Sequence, residues 1–190
     1  MLARAHHSGF SMIEVLVTAV IVSFGLLGIA GFQAKASVGE TESYQRAQAL
    51  GLLSDITERI RANPAQASSY VVNGTVGTGD SQPSSCTSLA LGAARDMCEW
   101  SNALKGTSEK KGTANSGGLT GGLGCITTIQ AANPAAGTCT PAIYQVSIAW
   151  LGAHPTLSPQ LNCGRGAFGT DDGFRRALVS QVVIGLPSCS

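Results

Sequence analysis

Residues 15–34 read VLVTAVIVSFGLLGIAGFQA, twenty consecutive positions without a charge and mostly apolar. At a rise of 1.5 Å per residue, a helix of that length covers roughly 30 Å, the thickness of a bilayer's hydrocarbon core. A helix buried in a soluble core is seldom apolar on every face over so many turns, so the stretch reads as a membrane span. A secretory signal is the nearer competitor, because Arg4 precedes the apolar stretch. The run is longer than the apolar part of such a signal, and no small-residue cleavage site with a polar break follows it. Instead, Gly31-Phe32-Gln33-Ala34-Lys35 leads into a further helical pattern.

Glu14 stands at the N-terminal edge of this span. A carboxylate beside hydrocarbon is costly, which makes such a residue a functional candidate. The bland alternative is a glutamate that snorkels to the headgroups. Its natural partner is an α-amino group, cationic near neutral pH. An amine on Phe10, four residues upstream, would sit about one helical turn away.

The helical pattern continues past the span. No Pro occurs between Ser37 and Ala62, and only Gly39 and Gly51 interrupt good helix formers. Leu50, Leu53, Ile56, Thr57 and Ile60 recur at three- and four-residue steps and mark one apolar stripe. Charged residues occupy other faces, where Glu58 and Arg61 can pair for a few tenths of a kcal/mol. Asn63-Pro64 ends the helix, because a residue before Pro is pushed out of the α region. The pattern predicts one helix from about Ser11 to Ala62, its first half in lipid and its second half packed on a head. Gly25, Gly28 and Gly31 either permit close helix approach or soften the helix.

Only 12 % of residues are charged, 5 % are aromatic, and the net charge is +1, so nothing electrostatic points to nucleic acid. Beyond the long helix, Tyr70-Val71-Val72 reads as a short strand with a turn at Asn73-Gly74. Ala93, Met97, Trp100 and Leu104 share one face of a short helix, with Trp100 as a core anchor. Residues 106–124 hold seven Gly and the Glu109-Lys110-Lys111 cluster, and read as a mobile surface loop. Residues 143–150 alternate, placing Tyr144, Val146, Ile148 and Trp150 on one face of a strand. A second strand over 176–184 puts Leu178, Val182 and Ile184 together. Antiparallel pairing of these strands across the 155–173 loop gives an α+β head, a small sheet against the Leu53/Ile56/Ile60 stripe.

All six cysteines, Cys86, Cys98, Cys125, Cys139, Cys163 and Cys189, fall in the head. In an oxidising compartment they read as disulfides. A zinc site is the alternative, but no C-x-x-C occurs and His6, His7 and His154 lie far from ligand spacing. Fifteen pairings are possible. Neighbours along the chain (Cys86 with Cys98, Cys125 with Cys139, Cys163 with Cys189) are the least demanding expectation. Each bridge would contribute roughly 3 kcal/mol in the chain-entropy model. No set of convergent acids, bases and nucleophiles suggests catalysis, and no cofactor is called for. His154 is a lone loop histidine. Gly121-Gly122-Leu123-Gly124 lacks the Lys-Ser/Thr of a phosphate loop.

The leader segment carries a resemblance. Ser8-Gly9-Phe10-Ser11-Met12-Ile13-Glu14-Val15-Leu16 resembles the cleavage-and-methylation motif of type IV prepilins and type II secretion pseudopilins. The resemblance implies that a prepilin peptidase cuts between Gly9 and Phe10 and N-methylates Phe10. Glu14 becomes the fifth mature residue, meeting the Phe10 amine of a neighbouring subunit during assembly. It divides the chain into a leader (1–9), a transmembrane and filament-core segment (10–34), a periplasmic half-helix (35–63) and a head (64–190). Calcium is held in terminal loops of type II pseudopilins and some pilins, which raises Asp171 and Asp172 as a weak candidate. Two adjacent carboxylates supply too few oxygens, and a turn at Asp171-Asp172-Gly173 is the simpler reading.

Further segments narrow the resemblance. Gly25-Leu26-Leu27-Gly28, Gln33, Glu58-Arg59-Ile60-Arg61-Ala62-Asn63-Pro64, Asp96-Met97-Cys98-Glu99-Trp100 with Leu104, and Tyr144-Gln145-Val146-Ser147-Ile148-Ala149-Trp150 resemble the V-type (PilV-like) minor pilins, the type IV pilus modification proteins. That implies a pilin-like fold and a subunit that primes or modifies pilus assembly near the tip. Twitching motility and adhesion are the processes it would serve. Implied partners are other minor pilins, the major pilin, the inner-membrane assembly platform and a tip adhesin. The implied location is the inner membrane with a periplasmic head, then the extracellular pilus. The Gly-rich insert, Cys163 and Cys189 depart from the family pattern. A type II secretion minor pseudopilin, an exposed binding head and an ordinary single-pass membrane protein are the other readings. The lack of a basic aromatic groove weighs against DNA as a ligand.

Overall fold

The computed structural model describes residues 9–107, 110–112, 114–115, 117–135, 138–169 and 171–186. The leader ahead of Gly9, with His6 and His7, lies outside these residues, as do Glu109 and Cys189. The chain divides into two units, Met1–Thr41 and Glu42–Ser190. Helix α1 (Met12–Ala62) contributes to both.

In the first unit, the Ser11 carbonyl accepts the Glu14 N–H at 3.1 Å as the helix begins. Its large apolar side chains, among them Leu16, Ile21, Phe24, Leu27 and Phe32, are exposed. The hydroxyls here satisfy themselves: Thr18 donates to the Val15 carbonyl at 2.9 Å and Ser23 to the Ala19 carbonyl at 2.7 Å. Such back-bonding lets a hydroxyl sit in hydrocarbon without an unpaired donor.

The second unit builds its core on the later turns of α1. Ala49, Leu53, Ile56 and Ile60, spaced by three or four, are buried, and Thr57 is buried beside them. Leu50 was expected on this stripe but is exposed, because it lies one position off the buried row. After Asn63, Pro64 opens a 3₁₀ helix (Pro64–Tyr70). There follow β1 (Val76–Gly77), α2 (Ala93–Leu104), β2 (Lys110–Lys111), β3 (Ala114–Asn115), β4 (Leu123–Gln130), β5 (Ala142–Leu151) and β6 (Arg175–Ile184). β1, β4, β5 and β6 form one sheet in that order, antiparallel throughout, and β2 pairs with β3 separately. The α+β fold is the one expected. β5 and β6 pair from Ala142–Ile184 to Leu151–Arg175, and Tyr144, Val146, Ile148 and Trp150 are all buried.

Three further expectations are corrected, and one strand was not foreseen. Tyr70-Val71-Val72 is no strand: Pro64 favours a helical start, and the 3₁₀ turn swings the Tyr70 ring into the core. β4 was not foreseen, because LGCITTIQ offers Gly, Cys and Thr where alternation would need apolar residues. The described part of the Gly-rich segment packs, with Leu119 buried. Gly106 (φ +66°) and Gly118 meet there backbone to backbone, and a Cβ on Gly118 would lie 2.7 Å from the Lys105 carbonyl carbon. Lastly, Cys86 joins Cys98 as expected, but Cys125 joins Cys163 and not Cys139. Cys163 is therefore unavailable to Cys189, and Cys139 is itself disulfide-bonded. The cause is tertiary: the connection from β5 to β6 folds back over the sheet, bringing Cys163 within 5.7 Å of Cys125 (Cα to Cα). Closing this longer loop is worth about 4 kcal/mol in the chain-entropy model.

Trp100 binds three elements together. It is fully buried, and its indole N–H donates to the Leu52 carbonyl of α1 at 3.0 Å. Its ring fills the space over Gly124 of β4, where a methyl group would fall 2.7 Å from Cζ3 and 2.9 Å from Leu104 Cδ1. Asp80 ties the other end of α2. Its carboxylate accepts from Ser101 Oγ at 2.6 Å, from Gly77 N at 2.8 Å and Gln82 N at 3.1 Å, and pairs with Lys105. Burial would raise the pKa of this carboxyl, but Lys105, Ser101 and the two amides outweigh it and hold it below the usual value.

Two outcomes are expected. Gly124→Ala overpacks the Trp100 site and lowers unfolding free energy by about 1–3 kcal/mol, measured by urea titration. Asp80→Asn removes a charge-assisted network worth roughly 1–3 kcal/mol near pH 7. With its folded-state pKa depressed, the Asp80 contribution is present above about pH 4 and lost as pH falls through the folded value. Stability against pH should therefore rise less steeply over that acid limb in Asp80→Asn than in the wild type.

Candidate functional site

The first candidate is the N-terminal end of α1. Gly9, Phe10 and Ser11 are non-helical and exposed, and Glu14 lies in the first helical turn. An extended segment is what a protease can engage, since a helix hides its scissile carbonyls in hydrogen bonds. A carboxylate in the first turn is favoured by the helix dipole. Among the described residues nothing bonds to the Glu14 side chain. Phe10 and Glu14 thus lie at one end of an apolar helix, the first as a large exposed ring and the second as a carboxylate without a partner among the described residues.

The second candidate joins two segments distant in sequence. Arg59 of α1 grips Asp55 through Nε at 3.0 and 3.1 Å. Its Nη1 donates to Asp96 at 2.9 Å and Glu99 at 2.6 Å, both on α2. The Tyr70 hydroxyl donates to the other oxygen of Asp96, and Asn63 Nδ2 donates to Gln66 Oε1 at 3.2 Å. The E-R-I-R-A-N-P and D-M-C-E-W segments are therefore two halves of one junction. Their apolar members, Ile60, Met97 and Trp100, enter the core, while Arg59, Asp96 and Glu99 lock α1 to α2 at its edge. Burial alone disfavours a charged guanidinium, but the three carboxylates outweigh it and raise the Arg59 pKa. Burial, then the bond to Asp96, pushes the Tyr70 phenol up to about 12. The predicted Glu58–Arg61 pair also forms, at 2.6 Å on the surface.

Two arginines escaped the sequence reading. Arg175 is fully buried and donates to the carbonyls of Leu161 (2.6 Å), Cys163 (2.9 Å) and Pro159 (2.9 Å), holding a segment without regular structure. Asp172 pairs with it at 3.3 Å and accepts the Gly166 N–H at 2.9 Å. The Asp172 carboxylate is thus engaged in a clasp, while Asp171 is exposed. The signal was the i,i+3 spacing of Asp172 and Arg175; what it lacked was any sign that this Arg points inward. Arg176 bonds Glu42 of α1 at 3.0 Å and the His154 carbonyl at 2.8 Å. The Glu42 carboxyl is lowered: burial would raise it, but the Ala153 N–H and Arg176 outweigh that. Among the described residues no three His, Cys, Asp or Glu side chains converge as metal ligands.

The α1–α2 junction can be tested apart from the core. Arg59→Met keeps an apolar stem but leaves three carboxylates facing one another. Because the partners are partly exposed, about 1–2 kcal/mol of stability should be lost near pH 7. Denaturation curves of the variant beside the wild type would read the loss.

Comparison with known proteins follows the same geography. Residues 4–30 match the family model of the prokaryotic N-terminal methylation motif, which covers Gly9, Phe10 and Glu14. Residues 31–103 match the model of the Tt1218-like type IV pilins, which contains the whole Arg59 junction and ends at the last turn of α2. No curated protein and no solved structure matches the chain. The pilins are a family of structural subunits. Glu14 and the exposed apolar turns that follow it lie within the first match and the start of the second, and the Arg59 junction lies within the second, so residues 4–30 are similar to a prepilin-type methylation motif and residues 31–103 to a type IV pilin domain.

Proposed function

We propose that the chain is a minor pilin of the V type, a structural subunit that primes or modifies type IV pilus assembly and is incorporated near the tip. Catalysis has no part in this reading. The observation that carries it is an apolar helix exposed along its first unit, with one carboxylate at its start that has no partner among the described residues. Exposed apolar surface of that extent needs lipid first and neighbouring helices afterwards. A prepilin peptidase cuts between Gly9 and Phe10 and methylates Phe10, which creates the cation that Glu14 lacks. Pairing the two across subunits sets the register of each newly added helix in a low-dielectric environment. Residues 10–34 span the inner membrane and later enter the filament core. The head is periplasmic and then extracellular, where its disulfides persist. Other minor pilins, the major pilin, the assembly platform and a tip adhesin are its partners.

Amino-terminal sequencing of the mature protein should give N-methyl-Phe10, and a start elsewhere would sink this reading. Glu14→Val should still be processed yet be absent from sheared pili. Deleting the gene should reduce surface pili and twitching. Normal piliation with lost exoprotein release would assign the chain to type II secretion instead.

A further inference from the structure

A groove of about 690 Å³ crosses the sheet face that turns away from Trp100. Its floor is a cross-strand block in which Cys125 and Thr127 of β4 stand opposite Ser147 and Gln145 of β5. One wall is the segment around residues 160–167. That wall lacks regular secondary structure yet is fixed in three ways. Cys163 is bonded to Cys125 in the floor, the buried Arg175 gathers the carbonyls of Pro159, Leu161 and Cys163, and Asp172 holds the Gly166 amide. A wall held so firmly pays little ordering entropy when a ligand arrives.

The groove sets neutral polar groups beside apolar side chains such as Leu123 and Leu161. Thr127, Gln145, Gln160 and Asn162 line it, and among the described residues none of these side chains bonds to the protein. Amides and hydroxyls both donate and accept, which matches a ligand whose own groups do both. The lining contains one cation, Arg165, and no carboxylate. An added peptide strand would pair through its backbone, whereas this floor, formed by the β4–β5 pair, presents side chains to the groove. Neutral, hydroxyl-rich ligands fit both conditions.

We propose that this groove is a binding site for a neutral saccharide, with Gln145 and Asn162 as its principal contacts. The site belongs to the head alone and stands whether or not the chain acts as a minor pilin. The test uses the full chain in nanodiscs free of glycolipid, with maltotriose, chitotriose and trigalacturonate as probes in calorimetric titrations. At least one neutral trisaccharide should bind saturably, with Kd below about 1 mM. Gln145→Ala combined with Asn162→Ala should weaken that binding at least tenfold while the unfolding midpoint stays unchanged. Neither side chain holds the fold together, so loss of binding would not reflect unfolding. The proposal fails if neither neutral sugar binds, if the double variant binds as well as the wild type, or if only trigalacturonate binds. An extended Ser/Thr peptide that binds in place of the sugars, and is lost in the same variant, would also overturn it.

Discussion

Trp100 is fully buried, donates its indole N–H to the Leu52 carbonyl of α1, and lies over the bare Cα of Gly124 in β4, so two helices and the sheet meet on one side chain. A large ring brings a large apolar area but also a polar N–H that must find an acceptor when buried. A carbonyl oxygen has two lone pairs, so the Leu52 carbonyl can accept the indole N–H from within its own helix. The arrangement works only where β4 has no Cβ. The glycine and the tryptophan are thus one feature, written 24 residues apart.

Around that joint the polar groups sit at the edges of the apolar contact. Arg59 faces Asp55, Asp96 and Glu99 where α1 meets α2. Asp80 collects the turn after β1, Ser101 and Lys105 at the far end of α2. Arg176 reaches Glu42 beside β6. Each network fixes direction where apolar packing alone would allow sliding, since a hydrogen-bonded charge tolerates little displacement. Helix α2 is consequently bound along its whole length, by charge at both ends and by Met97, Trp100 and Leu104 between them.

The two units place their apolar side chains differently. In the first, apolar side chains face outward and hydroxyls bond back to their own helix, the pattern of a segment meant for hydrocarbon. In the second, apolar side chains turn inward and the loops are tied by disulfides and a buried arginine. The family match follows the membrane-type helix and its junction with α2, then stops before the sheet's three long strands. The part of the head that holds the polar groove is mostly beyond it.

The sequence by itself determined the long helix, its ending at Asn63-Pro64, and the apolar faces of α2 and β5. These depend on residues near one another along the chain, whose periodicity or spacing is visible directly. Only the tertiary structure decided the rest. β4 carries Gly124 because Trp100 comes from elsewhere to fill that space, so its pattern never alternates. Cys125 reaches Cys163 because the chain after β5 doubles back over the sheet. Arg175 is buried because three carbonyls await it there. In each case the deciding partner is distant in sequence, and no local rule of propensity or spacing contains it.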